Sequence, residues 1–217
     1  MFVKAINDTS KENGNVTVII ADESGSGEEC LVLSLGAYRR MMKQLGAEVS
    51  QFDEVTEELY DVLHMYAEQT GAIREAAGIL SFGDRSAKEL MRKLTAKGYS
   101  PESAEYAVDF LAQKGYLSEE SACLRIAEAA VRSKHYGKRR VLEYLLSHGY
   151  DSAAAKNAAE SVPEEDYAEA LRYQMEKKYP HAAEMSRQES EKMIAAMMRQ
   201  GFSAGEVLGY VREKVRV

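Results

Sequence analysis

Five cations, Arg132, Lys134, Lys138, Arg139 and Arg140, fall within nine consecutive residues that contain no acid, beside His135 and Tyr136. Guanidinium and ammonium groups at that density suit phosphate oxygens or an acidic protein surface. Gly137 should place the run at an exposed corner between helices, where binding residues concentrate. The plain alternative is a solvated helix junction, because Lys and Arg near a helix C-terminus favour its dipole. No other part of the chain concentrates positive charge in this way.

Catalytic constellations are not visible beside it. His64, His135, His148 and His181 are scattered, none spaced i, i+4 from another His or Cys, which is a poor pattern for zinc. His148, just before Gly149, is expected to cap its helix. Cys30 and Cys123 fit neither a disulfide framework nor a CxxC pair, and Cys123 falls on a predicted helix as a small apolar filler. There is no G-x-x-x-x-G-K-[ST] phosphate loop, and Gly25-Ser26-Gly27 lacks the third glycine and the helix start of a dinucleotide fingerprint. The chain therefore reads as a non-enzyme without cofactor or metal, and the question moves from catalysis to surface.

The elements that must carry this surface repeat. Gly98-Tyr99, Gly149-Tyr150 and Gly201-Phe202 recur about every fifty residues. Eight, seven and four positions before each glycine stand Leu90, Met91 and Leu94, then Val141, Leu142 and Leu145, then Met193, Ile194 and Met197. That frame is one apolar face of a helix ended by a left-handed glycine. Ser100, Asp151 and Ser203 follow as N-caps of a second helix, and Ser86/Glu89, Ser186/Glu189 and Ser203/Glu206 have capping-box spacing. A third helix should precede each pair, near residues 69–82, 118–135 and 163–179. Met193 and Met197 are expected in the core, whereas Met198 could face a partner.

Before residue 85 the pattern changes. Residues 15–20 and 30–35 read as two strands of a β-hairpin, joined by the polar run Asp22-Glu23-Ser24-Gly25-Ser26-Gly27, with helices to follow near 37–45 and 53–66. Residues 1–85 hold 7 Lys+Arg against 15 Asp+Glu, while residues 86–217 hold 21 against 20, so the overall charge of −7 belongs to the N-terminal part. The fold expected is mainly α: three tandem three-helix repeats in an elongated, curved array, with a small N-terminal β-hairpin plus helices. Its divisions are an acidic extension at 1–67 and repeats at 68–117, 118–162 and 163–217. No apolar run is long enough for a membrane span and the first residues do not open a signal peptide, so a cytoplasmic protein is expected.

Paired helices also suggest a DNA reader that puts its second helix in the major groove. The candidate second helices argue against this, since one carries Glu102, Glu105 and Asp109 and the other is mostly alanine with Lys156 as its one base.

The run from Leu80 to Leu90, Leu-Ser-Phe-Gly-Asp-Arg-Ser-Ala-Lys-Glu-Leu, followed by Lys97-Gly98-Tyr99, Lys114-Gly115-Tyr116-Leu117-Ser118, Tyr136-Gly137-Lys138-Arg139-Arg140-Val141 and Arg199-Gln200-Gly201-Phe202-Ser203, resembles the bacterial RecX regulatory proteins. The resemblance runs from about Leu80 to the C-terminus. It implies a monomeric regulator that lies in the helical groove of the RecA filament and mainly inhibits recombinase, ATPase and co-protease activity in DNA repair and the SOS response. By position, Arg132, Lys134, Lys138, Arg139 and Arg140 match the family's basic stretch and, together with Tyr136, would contact RecA or the DNA it carries, with Arg85, Lys88, Arg92 and Lys93 as secondary candidates. The residues alone leave two alternatives: a helical DNA-binding protein acting without RecA, and a scaffold for another protein.

Overall fold

The computed structural model describes residues 1–9, 14–22, 24 and 27–215. It divides into two compact units. Met1–Gly83 with Leu90–Tyr116 forms one, and Asp84–Glu89 with Leu117–Val217 forms the other.

The first unit opens with an antiparallel sheet of β1 (Phe2–Asp8), β2 (Asn15–Ala21) and β3 (Glu28–Ser34), in that order. The expected hairpin is β2–β3, and the expectation missed β1. An isolated hairpin is marginal in water, and here a third strand and two helices complete it. The outer edge of β1 is covered in turn: Val3 N donates to Asp53 O at 2.9 Å and Phe52 N to Val3 O at 2.7 Å. Glu23, Gly25 and Ser26 of the connecting run lie outside the described residues. Alternation puts Val16, Val18 and Ile20 of β2 inside. Val18 and Ile20 join Val3, Leu33, Met41 and Leu63 in one apolar core.

Leu35, expected at the end of a strand, instead begins α1 (Leu35–Leu45), because Ser34 caps it by accepting from Ala37 N. The two helices expected near 53–66 and 69–82 are one helix, α2 (Glu57–Ser81), capped by Thr56. Ala67, Glu68 and Gln69 at the expected gap are helix formers with no breaker among them. α3 (Ala87–Ala96) and α4 (Pro101–Gln113) follow. The Glu68 carboxylate of α2 accepts from Ser100 N, Ser100 Oγ and Ser103 Oγ at 2.7, 2.7 and 2.8 Å, which ties α2 to the start of α4.

The second unit contains α5 (Glu119–Lys134), α6 (Lys138–Ser147), α7 (Ser152–Ser161), α8 (Glu164–Lys178), a short 3-10 turn (Ala182–Glu184), α9 (Arg187–Arg199) and α10 (Ala204–Val215). Residues 84–89 are built into it. Asp84 receives a two-point bond from Arg125, at 2.8 and 2.7 Å, Ser86 Oγ donates to His148 O, and Ala87 N donates to Glu119.

The repeat frame appears as read. Leu90 and Leu94, Val141 and Leu145, and Met193 and Met197 are fully buried, while Met91, Leu142 and Ile194 are half-buried. Gly98, Gly149 and Gly201 have φ of +97°, +82° and +97°. In each copy the N–H of the following aromatic residue donates to the carbonyl five residues earlier, Tyr99 to Leu94, Tyr150 to Leu145 and Phe202 to Met197. That bond closes the helix in the Schellman manner.

Candidate functional site

α6 starts without a side-chain cap, since Gly137 occupies that position. The chain supplies carbonyls instead: Gly137 N donates to Gln200 O at 2.8 Å and Arg139 N to Gly201 O at 3.2 Å. The electropositive start of α6 thus meets the electronegative end of α9. The approach is backbone on backbone. A Cβ on Gly137 would stand 2.5 Å from the Gly201 carbonyl carbon, and one on Gly201 would stand 2.3 Å from Arg140 N. Gly137 is therefore buried, and the corner between α5 and α6 is pinned to the α9–α10 turn; only the side chains around the glycine reach solvent.

These side chains separate into two groups. Lys134 Nζ donates to Tyr144 Oη at 2.9 Å and lies 4.1 Å from that ring's centre, and Arg140 sits 5.6 Å from the centre of Tyr136. The hydrogen bond to Tyr144 holds the Lys134 ammonium above its ordinary pKa. Tyr136 meets Tyr144 edge-on at 6.0 Å, and Tyr144 meets His148 at 4.3 Å. The result is a patch of cations stacked on aromatic faces. His148 Nδ1 lies 2.8 Å from Tyr144 O, the helix-end role expected of it. Lys138 and Arg139 instead border a groove shared with Leu142, Met198 and Phe202.

All five cations already have a partner in the chain, Lys134 at the Tyr144 hydroxyl and the other four at carboxylates. Lys138 pairs with Glu164 at 3.0 Å. Arg139 and Arg140 share Glu143, at 3.6 and 3.3 Å, and Arg139 Nη2 also donates to Met198 O at 2.7 Å. Arg132 lies 3.8 Å from Glu128 and 3.9 Å from Asp166, with its side chain 69% exposed. At such separations and exposures these pairs bind weakly and open readily to a partner. Arg139 also caps the end of α9, so part of the cluster serves the fold.

The secondary candidates are divided between the two units. Arg85 and Lys88 belong to the second unit, Arg92 and Lys93 to the first. Arg85 Nη1 donates to Asp84 O, and its Nε lies 3.3 Å from Glu89. The Arg125 hydrogen bonds beside Asp84 hold that carboxyl below its ordinary range.

Cys123 is fully buried, and its thiol is pushed up to about 11, by burial first and Glu119 second. It is the apolar filler expected and stays protonated at neutral pH. Among the described residues no group of three His, Cys, Asp or Glu side chains is placed to hold a metal ion. No helix among them is long and apolar enough to cross a membrane. Of the groove residues, the sequence leaves Met198 open to a partner, whereas Lys156 and Leu142 escaped assignment as a site. The available signals were the single base on α7 and the methionine just outside the core frame.

Two family models match, the first three-helix domain of RecX over residues 72–111 and the third over residues 164–210. The regulatory protein RecX of Xanthomonas axonopodis pv. citri is 31% identical over 68% of this chain and 89% of its own length. That of Stenotrophomonas maltophilia is 34% identical over 64% and 84%. A solved structure of a regulatory protein RecX superposes on 98% of both chains with a TM-score of 0.74 at 14% identity. The RecX of Lactobacillus salivarius covers 69% of this chain with a TM-score of 0.62 at 16% identity, and both structures bear on the fold alone. Identity above 30% across two thirds of the chain, together with two matching three-helix models and the repeated Gly-aromatic helix pairs, makes this chain a member of the RecX family.

Proposed function

We propose that this protein is a non-enzymatic regulator that binds the RecA nucleoprotein filament and mainly inhibits its recombinase, ATPase and co-protease activities, in the service of DNA repair and the SOS response. The observation that carries this reading is the pinned α5–α6 corner, where Lys134 and Arg140 lie over the Tyr136 ring and the backbone is held in place by the Gly137–Gly201 contact. A preorganised patch of cations and aromatics loses little freedom on binding and suits a mixed protein interface. On this reading the chain works as a cytoplasmic monomer, with residues 1–67 as an extension and 68–117, 118–162 and 163–217 as its repeats.

Direct DNA binding is the second reading, favoured by the same stacked aromatics, since bases stack on aromatic faces. Against it stands the overall charge of −7, which disfavours tight binding to a polyanion. The deciding experiment is the RecA ATPase rate on single-stranded DNA, titrated with this protein at physiological salt, with its own DNA affinity as the control. Inhibition at less than one molecule per RecA is expected, and weakened by charge reversal at Arg139 and Arg140. No inhibition at excess protein would remove the reading, and unchanged inhibition and DNA affinity in the double variant would remove the cluster from it.

A further inference from the structure

Leu142, Ala159, Met198 and Phe202 floor a groove of about 560 Å³ in the second unit, and Lys138, Arg139 and Lys156 stand at its margin. The floor is not wholly used by the core. Met198 is 37% exposed and Leu142 is half-buried, although both lie next to the fully buried positions of the repeat frame. Met198 and Leu142 leave apolar surface open to solvent beside the buried Ala159 and Phe202, and a methionine in that position adapts to the shape of what it meets.

The charges around the groove name the chemistry of its occupant. Of the two carboxylates at its edge, Glu206 is engaged in capping α10, where it accepts from Ser203 N at 2.6 Å. Glu160 is paired only loosely, with Lys156 at 4.0 Å. Ser203 and Ala204 bring the electropositive start of α10 to the same edge. Lys138 and Arg139 are paired with Glu164 and Glu143, which lie outside the groove lining, so within the groove three exposed cations and a helix start face one loosely held carboxylate and one engaged one.

We propose that this groove docks a protein segment in which apolar side chains are interspersed with carboxylates. The apolar groups fill the floor, and the carboxylates meet Lys156, Lys138 and Arg139, whose existing pairs are exposed enough to be exchanged. A nucleic-acid backbone fits less well, because phosphates gain nothing from a floor of Leu, Ala, Met and Phe. Marginal cations around an apolar centre set orientation and encounter rate. The proposal goes beyond RecA regulation and holds whichever protein supplies the segment.

The test uses full-length protein carrying 13C-methyl methionine, with a synthetic peptide of alternating Leu and Glu as the probe. The Met198 methyl resonance should move saturably while those of buried Met193 and Met197 stay in place. Lys156→Glu should weaken the peptide by roughly tenfold, and Met198→Gln should weaken it when binding is followed by anisotropy of a labelled peptide. Thermal melting confirms that both variants fold. The proposal is overturned if Met198 does not respond, if a Leu-Lys peptide binds as well, or if oligothymidylate moves Met198 and displaces the peptide. Because RecA is absent from the measurement, its outcome and that of the ATPase titration are independent.

Discussion

Arg139 and Arg140 are neighbours in sequence with different duties in the fold. Arg139 donates to Met198 O at the end of α9, whereas Arg140 lies against Tyr136 and shares Glu143. Arg139→Ala should cost about 1 kcal/mol of stability for the lost carbonyl bond, and Arg140→Ala less than about 0.5 kcal/mol. Urea denaturation of the two variants checks the difference; equal losses would remove the capping role. Gly137→Ala should cost about 2–3 kcal/mol, because the new methyl meets backbone that no side-chain rotation can relieve. A melting temperature within a degree or two of the parent would show that the corner is not pinned. The cluster itself was legible, because a run of five cations without an acid needs no structure to be seen. Its internal partners were not, since Glu143, Glu164 and the Met198 carbonyl come to it only through folding.

At the scale of elements, periodicity and capping carried most of the fold. The Gly-aromatic turns, the buried positions eight and four before each glycine, and the boxes at Ser186/Glu189 and Ser203/Glu206 are local signals, and they are present as read. The failures fell where long-range contact decides. β1 is a strand because β2 and the 52–55 segment lie on either side of it, and α2 runs unbroken because nothing in residues 67–69 interrupts it. Glu68 on that helix supplies a pH prediction. Burial works to raise its carboxyl, but hydrogen bonds from Ser100 and Ser103 outweigh burial and hold it below the ordinary 4.5. A carboxyl lowered by folding stabilises the native state above its unfolded value, and that contribution is lost as pH falls through the folded value. The stability difference between parent and Glu68→Gln should accordingly be full at pH 7 and shrink as pH drops below about 4.5. Denaturation midpoints for both proteins across that range test it, and a constant difference would exclude the carboxylate as the cause.

For the whole molecule, the boundary between the two units does not fall where a helix ends. The first turn of α3 belongs to the second unit and the rest of α3 to the first. A fragment of residues 117–217 would lack the partners of Arg125, Glu119 and the His148 carbonyl. It should unfold at lower urea than a fragment of residues 84–217, and equal midpoints would show that residues 84–89 add nothing. No sequence pattern announces this sharing, because the capping signal at Ser86 is the same whichever unit the helix start serves. The order of synthesis gives the sharing a further meaning. Chains fold from the N-terminus as they leave the ribosome, so residues 84–89 emerge attached to a helix of the first unit before any of their partners in the second exist. Their bonds to the second unit can therefore form only after Glu119, Arg125 and His148 have been made, which sets an order of events within that unit.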